Sequence, residues 1–168
     1  NFPQAKREGT ASRQTIIHGP AKIGKGSAIG PNTGIKGPVI IGDDCEIGPN
    51  CCIMPNTSLG SRVKMEPFTL IGNSLIMDDT SIGSHSRIID TVTGQGCRLA
   101  DHTTISASAS LMDIEGEVIK PEFGAVFGDQ ISAGPFTIFS NCIIGNNVAI
   151  GGGTWIINRI HAREYKVI

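Results

Sequence analysis

Bulky aliphatic residues recur at every sixth position from Ile17 through Ile23, Ile29, Ile35, Ile41, Ile47, Ile53, Leu59 and Met65 to Ile71. Small or β-branched residues stand four places after most of them (Thr33, Val39, Cys45, Cys51, Thr57, Val63, Thr69), and Gly often follows directly (Gly24, Gly30, Gly42, Gly48, Gly60, Gly72). A period of six fits neither a helical stripe nor the alternation of a long strand. It predicts short strands that point one bulky side chain inward before Gly, Asn or Pro turns the chain. Three such units close a triangular coil, and successive coils stack their strands in parallel at about 4.8 Å. The expected architecture is an all-β solenoid prism.

The segments Ile29-Gly30-Pro31-Asn32 and Ile47-Gly48-Pro49-Asn50 place identical corners one coil apart. After Ile71 the series slips to Leu70, Ile76, Ile82 and Ile88, then to Thr93, Leu99 and Ile105, as expected if a corner loses one residue. From 106 to 122 the pattern fades through Ser and Ala into an acidic stretch around Glu115, Glu117 and Glu122, which predicts a loop leaving the prism. Phe127, Ala133, Ile138, Ile144, Ile150 and Ile156 resume the repeat. This divides the chain into a polar linker (1–14), the solenoid (15–158) and a C-terminal tail or cap (159–168), with Tyr165 expected to pack over or beside the last coil.

Composition narrows the partners. With 14 Lys+Arg against 15 Asp+Glu the chain is nearly neutral, and it lacks the basic stripe that nucleic-acid binding needs. No run of about eighteen apolar residues suits a membrane-spanning helix. The start at Asn1 shows no charged-then-apolar signal pattern, so a fragment of a longer protein is expected. Of five cysteines, Cys45, Cys51 and Cys97 fall at the small position and read as buried free thiols. The odd count and the absence of paired C-x-x-C motifs favour a cytoplasmic setting over a disulfide framework or a structural zinc site.

The hexapeptide units resemble those of left-handed parallel β-helix proteins, and the left hand comes from that resemblance alone. More narrowly, IKGPVIIGDDCEIGPN from Ile35 to Asn50, and FGAVFGDQISAG with IIGNNVAIGGG between Phe123 and Gly153, resemble the C-terminal domain of archaeal sugar-1-phosphate nucleotidylyltransferases. The resemblance implies a homotrimer following a nucleotidylyltransferase domain, of glucose-1-phosphate thymidylyltransferase type for example. In bifunctional members the β-helix transfers acetyl from acetyl-CoA to a hexosamine phosphate with a His as general base, and His85 aligns with it. An amine attacking a thioester must lose a proton, which imidazole can take near neutral pH.

Three features of that site are altered. Ile88 stands where the family has Tyr, Ala107 where it has Asn, and the acidic run from Asp113 to Glu117 replaces a Lys-containing segment. The resemblance therefore implies a domain used mainly for trimerisation, with a degraded acetyltransferase site. An active N-acetyltransferase and a purely structural or regulatory domain are the alternatives.

Register adds a second candidate. His85 is three after Ile82 and His102 three after Leu99, so the two should stack one coil apart, with Asp101 adjacent. Solvated corner histidines, an acid–base pair and a metal pair are the readings. The spacing of His18, His85, His102 and His161 offers no convincing third ligand, and no metal site is expected. Gly151, Gly152, Gly153 and Trp155 are the candidates for acetyl-CoA, with glycine corners and a hydrophobic cap residue as the plainer reading. Sugar phosphate is the implied acceptor.

Overall fold

The computed structural model describes residues 9–108, 112–114, 116–119 and 122–161. Its described residues form short strands and turns, with no helix among them. The strands stack in parallel into a three-sided prism of eight coils. Face A runs from Thr10–Ala11 through Glu46–Ile47 and Arg98–Leu99 to Ala149–Ile150. Face B includes Ile16–His18, Leu70–Gly72, Arg87–Ile89 and Thr104–Ile105, and face C includes Ala21–Ile23, Val39–Ile41, Leu75–Ile76, Thr91–Thr93 and Ala125–Phe127. Two seven-residue strands, Ile138–Ile144 and Trp155–His161, run from face B onto face C without a break.

The interior is the six-residue series itself. Ile23, Ile35, Ile41, Ile53, Leu59, Ile71, Ile76, Ile82, Ile88 and Ile105 are all buried to within a few per cent of completely. Each contributes about 1.5–3 kcal/mol by leaving water. Phe127 and Phe139, both buried, meet edge-on with ring centroids 4.9 Å apart.

The small residues four places on are not merely small. At the corner between faces A and B, Thr15, Thr33, Cys51 and Thr69 each donate to a carbonyl of the next coil, at Gly30, Gly48, Glu66 and Gly83. These groups satisfy backbone oxygens that turn inward at the corners, where a bare carbonyl would cost about 1–3 kcal/mol. Corner carboxylates do the same for amides. Asp43 accepts from Lys25 N–H at 2.8 Å and Asp78 from Ser61 N–H at 2.9 Å, one coil back in each case. The Gly after each aliphatic residue reflects close approach of coils: a Cβ on Gly42 would stand 2.5 Å from the backbone of Gly60.

Four details differ from the sequence reading. Thr10–Ala11, in the segment expected to be linker, already pairs with Ala28–Ile29, because a parallel ladder needs backbone and not a bulky side chain. Ile71, the end of the first series, keeps the inward position that Leu70 was expected to take in the next, and Phe139 replaces Ile138; Leu70 pairs with outward-facing Cys52 and Arg87. Arg159–His161 belong to the last strand, paired with Cys142–Ile144, rather than to a tail. The excursion after Ile105 contains an antiparallel hairpin, Met112–Ile114 with Glu117–Ile119, turning at Gly116 with φ of 87°. Tyr165 and Glu115 lie outside the described residues.

The slips also have a place. Lys64 pairs with Glu46, eighteen positions back (64 − 46), but with Ser81, seventeen ahead (81 − 64). The missing residue is lost at the corner between faces B and C, where Ile71 to Ile76 spans five positions and Ile53 to Leu59 spans six. The excursion leaves from that same corner, between Thr104–Ile105 and Ala125–Phe127.

Candidate functional site

The corner between faces A and B carries the two imidazoles. Seven of its eight coils turn on a residue in the left-handed region: Asn32, Asn50, Phe68, His85, His102, Phe136 and Gly153, with φ between 55° and 74°. Asn adopts this conformation readily because its short amide bonds locally, whereas a Phe or His there costs roughly 1–2 kcal/mol. Here the rings recover part of that by stacking on each other. Centroids of Phe68 and His85 are 4.9 Å apart, those of His85 and His102 5.2 Å, and those of His102 and Phe136 4.6 Å, with interplanar angles of 22°, 18° and 5°. Each such pair contributes about 0.5–1.5 kcal/mol.

The sequence expectation that His85 and His102 stack is met, and the structure adds a phenyl ring at each end. Phe68 and Phe136 were legible as corner residues from their position one past a Pro, as in Pro31-Asn32 and Pro49-Asn50. Both imidazoles are exposed, and neither takes part in a hydrogen bond or ion pair among the described residues. Asp101 is adjacent but committed elsewhere: its Oδ1 accepts from Ser84 N–H at 2.7 Å. Behind the rings lies a buried layer of hydroxyls, with Ser86 Oγ accepting from Thr103 N–H and the hydroxyls of Thr103 and Thr137 3.3 Å apart. Ile88, where the resemblance called for Tyr, is fully buried in the core and offers no group to this edge.

Gly151, Gly152 and Gly153 form the last turn of the same edge, two coils beyond His102. Gly153 N–H donates to Pro135 O at 2.8 Å, and Gly151 O accepts from Thr154 Oγ1 at 2.7 Å. Trp155 opens the last strand and is 68% exposed. His18 is exposed on the first coil of face B, far along the prism from the pair. No three His, Cys, Asp or Glu side chains converge among the described residues. Cys45, Cys51, Cys97 and Cys142 are buried free thiols, and burial raises the pKa of each, of Cys97 to about 11 and of Cys142 to about 12. They are packing groups, not nucleophiles.

The outward surfaces of the faces differ. Ile40, Leu75, Val92, Ile143 and Ile160 form a column on face C, each 37–49% exposed and broken only by Ser58 and half-buried Val126. At the corresponding positions face A carries Glu46, Lys64, Ser81, Arg98 and Ser132, and Lys64 Nζ sits 3.1 Å from Glu46. Beside the column, a groove of about 350 Å³ opens between Leu75, Val92, Asn73 and Asp90 on one side and Glu122 and Phe123 on the other.

Coils of three short parallel strands define a parallel β-helix, and the likeness to solved structures of this fold gives its left hand. Solved structures of similar fold include UDP-N-acetylglucosamine O-acyltransferase from Moraxella catarrhalis, at a TM-score of 0.57 and 17% identity over 91% of this chain and 64% of that one. PerB from Caulobacter crescentus, in complex with CoA and GDP-perosamine, aligns at a TM-score of 0.53 and 15% identity over 67% of this chain and 54% of that one. The acyltransferase from Campylobacter jejuni gives 0.51 and 16%, over 92% and 65%. The chain thus spans between about half and two thirds of these proteins' lengths. Residues 35–160 match the model of the GMPPB C-terminal domain, and the chain belongs to that family.

Proposed function

We propose that this domain is an assembly unit of a sugar-1-phosphate nucleotidylyltransferase-like protein, for example one of glucose-1-phosphate thymidylyltransferase type, and that face C holds it in a homotrimer. The apolar column on face C carries this reading. An exposed aliphatic stripe along one face, where neighbouring face A carries Glu46, Lys64 and Arg98, costs solubility unless a partner covers it. Three copies turning face C toward a common axis cover it in a closed assembly. The groove beside Leu75 and Val92 then lies at the boundary with a neighbour.

The edge carrying His85 and His102 is the one opposite face C, pointing away from that axis. Its imidazoles have no carboxylate or amide to orient them, and the Tyr and Asn of the acetyl-transferring relatives are replaced by Ile88 and Ala107. Both observations support a degraded acetyltransferase site. Light scattering on the purified chain should give three times 17.7 kDa. Introducing Leu75→Glu with Val92→Glu should give a folded monomer, since two carboxylates at a dry interface cost several kcal/mol. A monomeric wild type would overturn the proposal, and acetyl transfer from acetyl-CoA that is lost in His85→Ala would restore the acetyltransferase reading.

A further inference from the structure

Face C carries a knob on one edge and a hollow on the other. Where its strands turn toward face A, the residue after each inward side chain is Gly24, Gly42, Gly60, Gly94, Gly128 and Gly145, and Met77 is the one departure among the described residues. The glycines answer to crowding, since a Cβ on Gly42 or Gly94 would stand 2.5 Å from the backbone of the next coil. Met77 disturbs that order. Its N–H donates to Thr93 Oγ1 at 3.3 Å, where Gly42, Gly60, Gly94 and Gly128 each donate to a main-chain carbonyl at 2.8 Å. Lying two positions past outward-facing Leu75, it extends the apolar surface of face C at this coil, and it stays 43% exposed. The fold gains little from it.

At the same level the B–C edge is concave. The groove there has Leu75 and Val92 as an apolar floor, Asn73 and Asp90 on one side, and Glu122 and Phe123 as the other wall. A knob and a groove on opposite edges of one face make a head-to-tail contact. Such a contact closes into a ring when the copies stand level, and runs on as a filament when each is displaced along the axis. Charge selects the level arrangement. Lys36 is exposed at the B–C edge of the second coil, where the A–C edge carries Asp43 and Asp44. One coil down that edge carries Lys25 and one coil up Arg62, so displacement by a coil in either direction sets Lys36 against a like charge.

We propose that Met77 of each copy seats in the groove of the next, and that Lys36 beside that groove faces Asp43 and Asp44 of the copy supplying the Met. The occupant of the groove is thus a second copy of this chain. Around a threefold axis the A–C edge of one prism meets the B–C edge of its neighbour, so three such contacts close the assembly. An unbranched, polarizable Met side chain can adapt to a groove with an apolar floor and polar walls. The inference rests on assembly through face C and adds which edges meet, at which level and through which side chains.

Met77→Gly installs the residue of the other coils, so circular dichroism should stay unchanged. Association read by sedimentation equilibrium should weaken about thirtyfold per interface, the effect of truncating one anchoring side chain. Lys36→Glu should weaken it as well, and adding Asp44→Lys should recover most of that loss. Arg62 shows that a basic residue is accommodated at the Asp44 position of the corner, with φ of 57° against 54°. For the level, Met77→Cys and Glu122→Cys are made separately in a Cys52→Ser background, whose remaining native thiols are buried. Mixed, equilibrated and treated with a short bis-maleimide, the two variants should link to each other faster than either links to itself. A monomeric parent overturns the assembly and this contact together. With a trimeric parent, Met77→Gly associating as tightly, a charge exchange that recovers nothing, or a mixed pair linking no faster would each overturn this contact and leave assembly through face C standing.

Discussion

The two edges that flank face B are built on opposite plans. Along the A–B edge every coil carries a hydroxyl or thiol just inside the corner, from Thr15 and Thr33 through Cys51, Thr69, Ser86, Thr103 and Thr137 to Thr154, and every one donates to a corner carbonyl. Along the B–C edge the same layer is mixed: Ala21, Val39, Thr57, Ser74, Thr91, Ala125 and Cys142. That edge absorbs all the irregularity, namely the lost residue, the excursion and the two unbroken strands. On the A–B edge Thr15, Thr33, Cys51, Thr69 and Ser86 donate to the next coil, while Thr103, Thr137 and Thr154 donate within their own. On the B–C edge Thr57, Ser74 and Thr91 all donate within their own coil, and Ala21, Val39 and Ala125 offer no donor. That corner has fewer ties to break when it shortens or admits a loop.

The sharpest way to break this contrast is at Asn141. It is fully buried on the B–C edge and clamps the start of the excursion: its Oδ1 accepts from Ser108 N–H at 3.3 Å, while Nδ2 donates to Ser108 Oγ and to Asn158 Oδ1, both at 2.9 Å. Asn141→Leu removes the three bonds of the clamp, buries no replacement for them, and puts a branched side chain at a φ of 48° that suits Asn. A loss of about 3 kcal/mol in unfolding free energy by urea titration is expected. On the A–B edge, Thr137→Val removes one donor of a redundant column and should cost no more than about 1 kcal/mol. Equal losses at the two sites would refute the contrast.

Alkaline pH probes the same pair of edges through their thiols. Burial raises both Cys51 and Cys142, but Cys51 has opposing backbone hydrogen bonds at Thr69 and Phe68 and Cys142 only one, at Ser140, and rises to about 12. Native Cys51 should therefore be alkylated at a lower pH than Cys142 when peptides are followed by mass spectrometry. The stability consequence has a definite sign. Above the ordinary thiol value of 9.0 the unfolded chain has released protons that native Cys97 and Cys142 still hold, so stability falls as pH rises from about 9 towards their folded values of about 11 and about 12. By pH 10 the two together should cost on the order of 2 kcal/mol.

The fold was legible because one inward side chain per strand leaves a six-residue trace that survives every corner. Register even brought His85 and His102 together. What stayed hidden were distinctions between positions one residue apart, such as Leu70 against Ile71, since both are aliphatic and only the pairing with Cys52 and Arg87 tells outside from inside. The aromatic column was half visible: His was sought for its chemistry, while Phe68 and Phe136 were passed over because apolar residues are expected inside. The corner caps at Asp43, Asp78 and Asp101 leave no signal in the sequence, because their role depends on an amide one coil back.

The finest test of the contrast lies at the lower end of the column. Phe68→Asn should return this turn to the residue type that precedes it at Asn50, relieving roughly 1–2 kcal/mol of left-handed strain. It also removes the stack on His85, worth about 0.5–1.5 kcal/mol, and little burial, since Phe68 is 54% exposed. The two nearly cancel, so thermal denaturation should place the variant within about 0.5 kcal/mol of the parent, with the sign set by whichever is larger. A clear stabilisation means that the ring was kept for something other than folding. A loss above about 1 kcal/mol means that the column acts as a cooperative unit whose rungs support one another, and the edge owes its regularity to the rings as well as to the hydroxyl layer behind them.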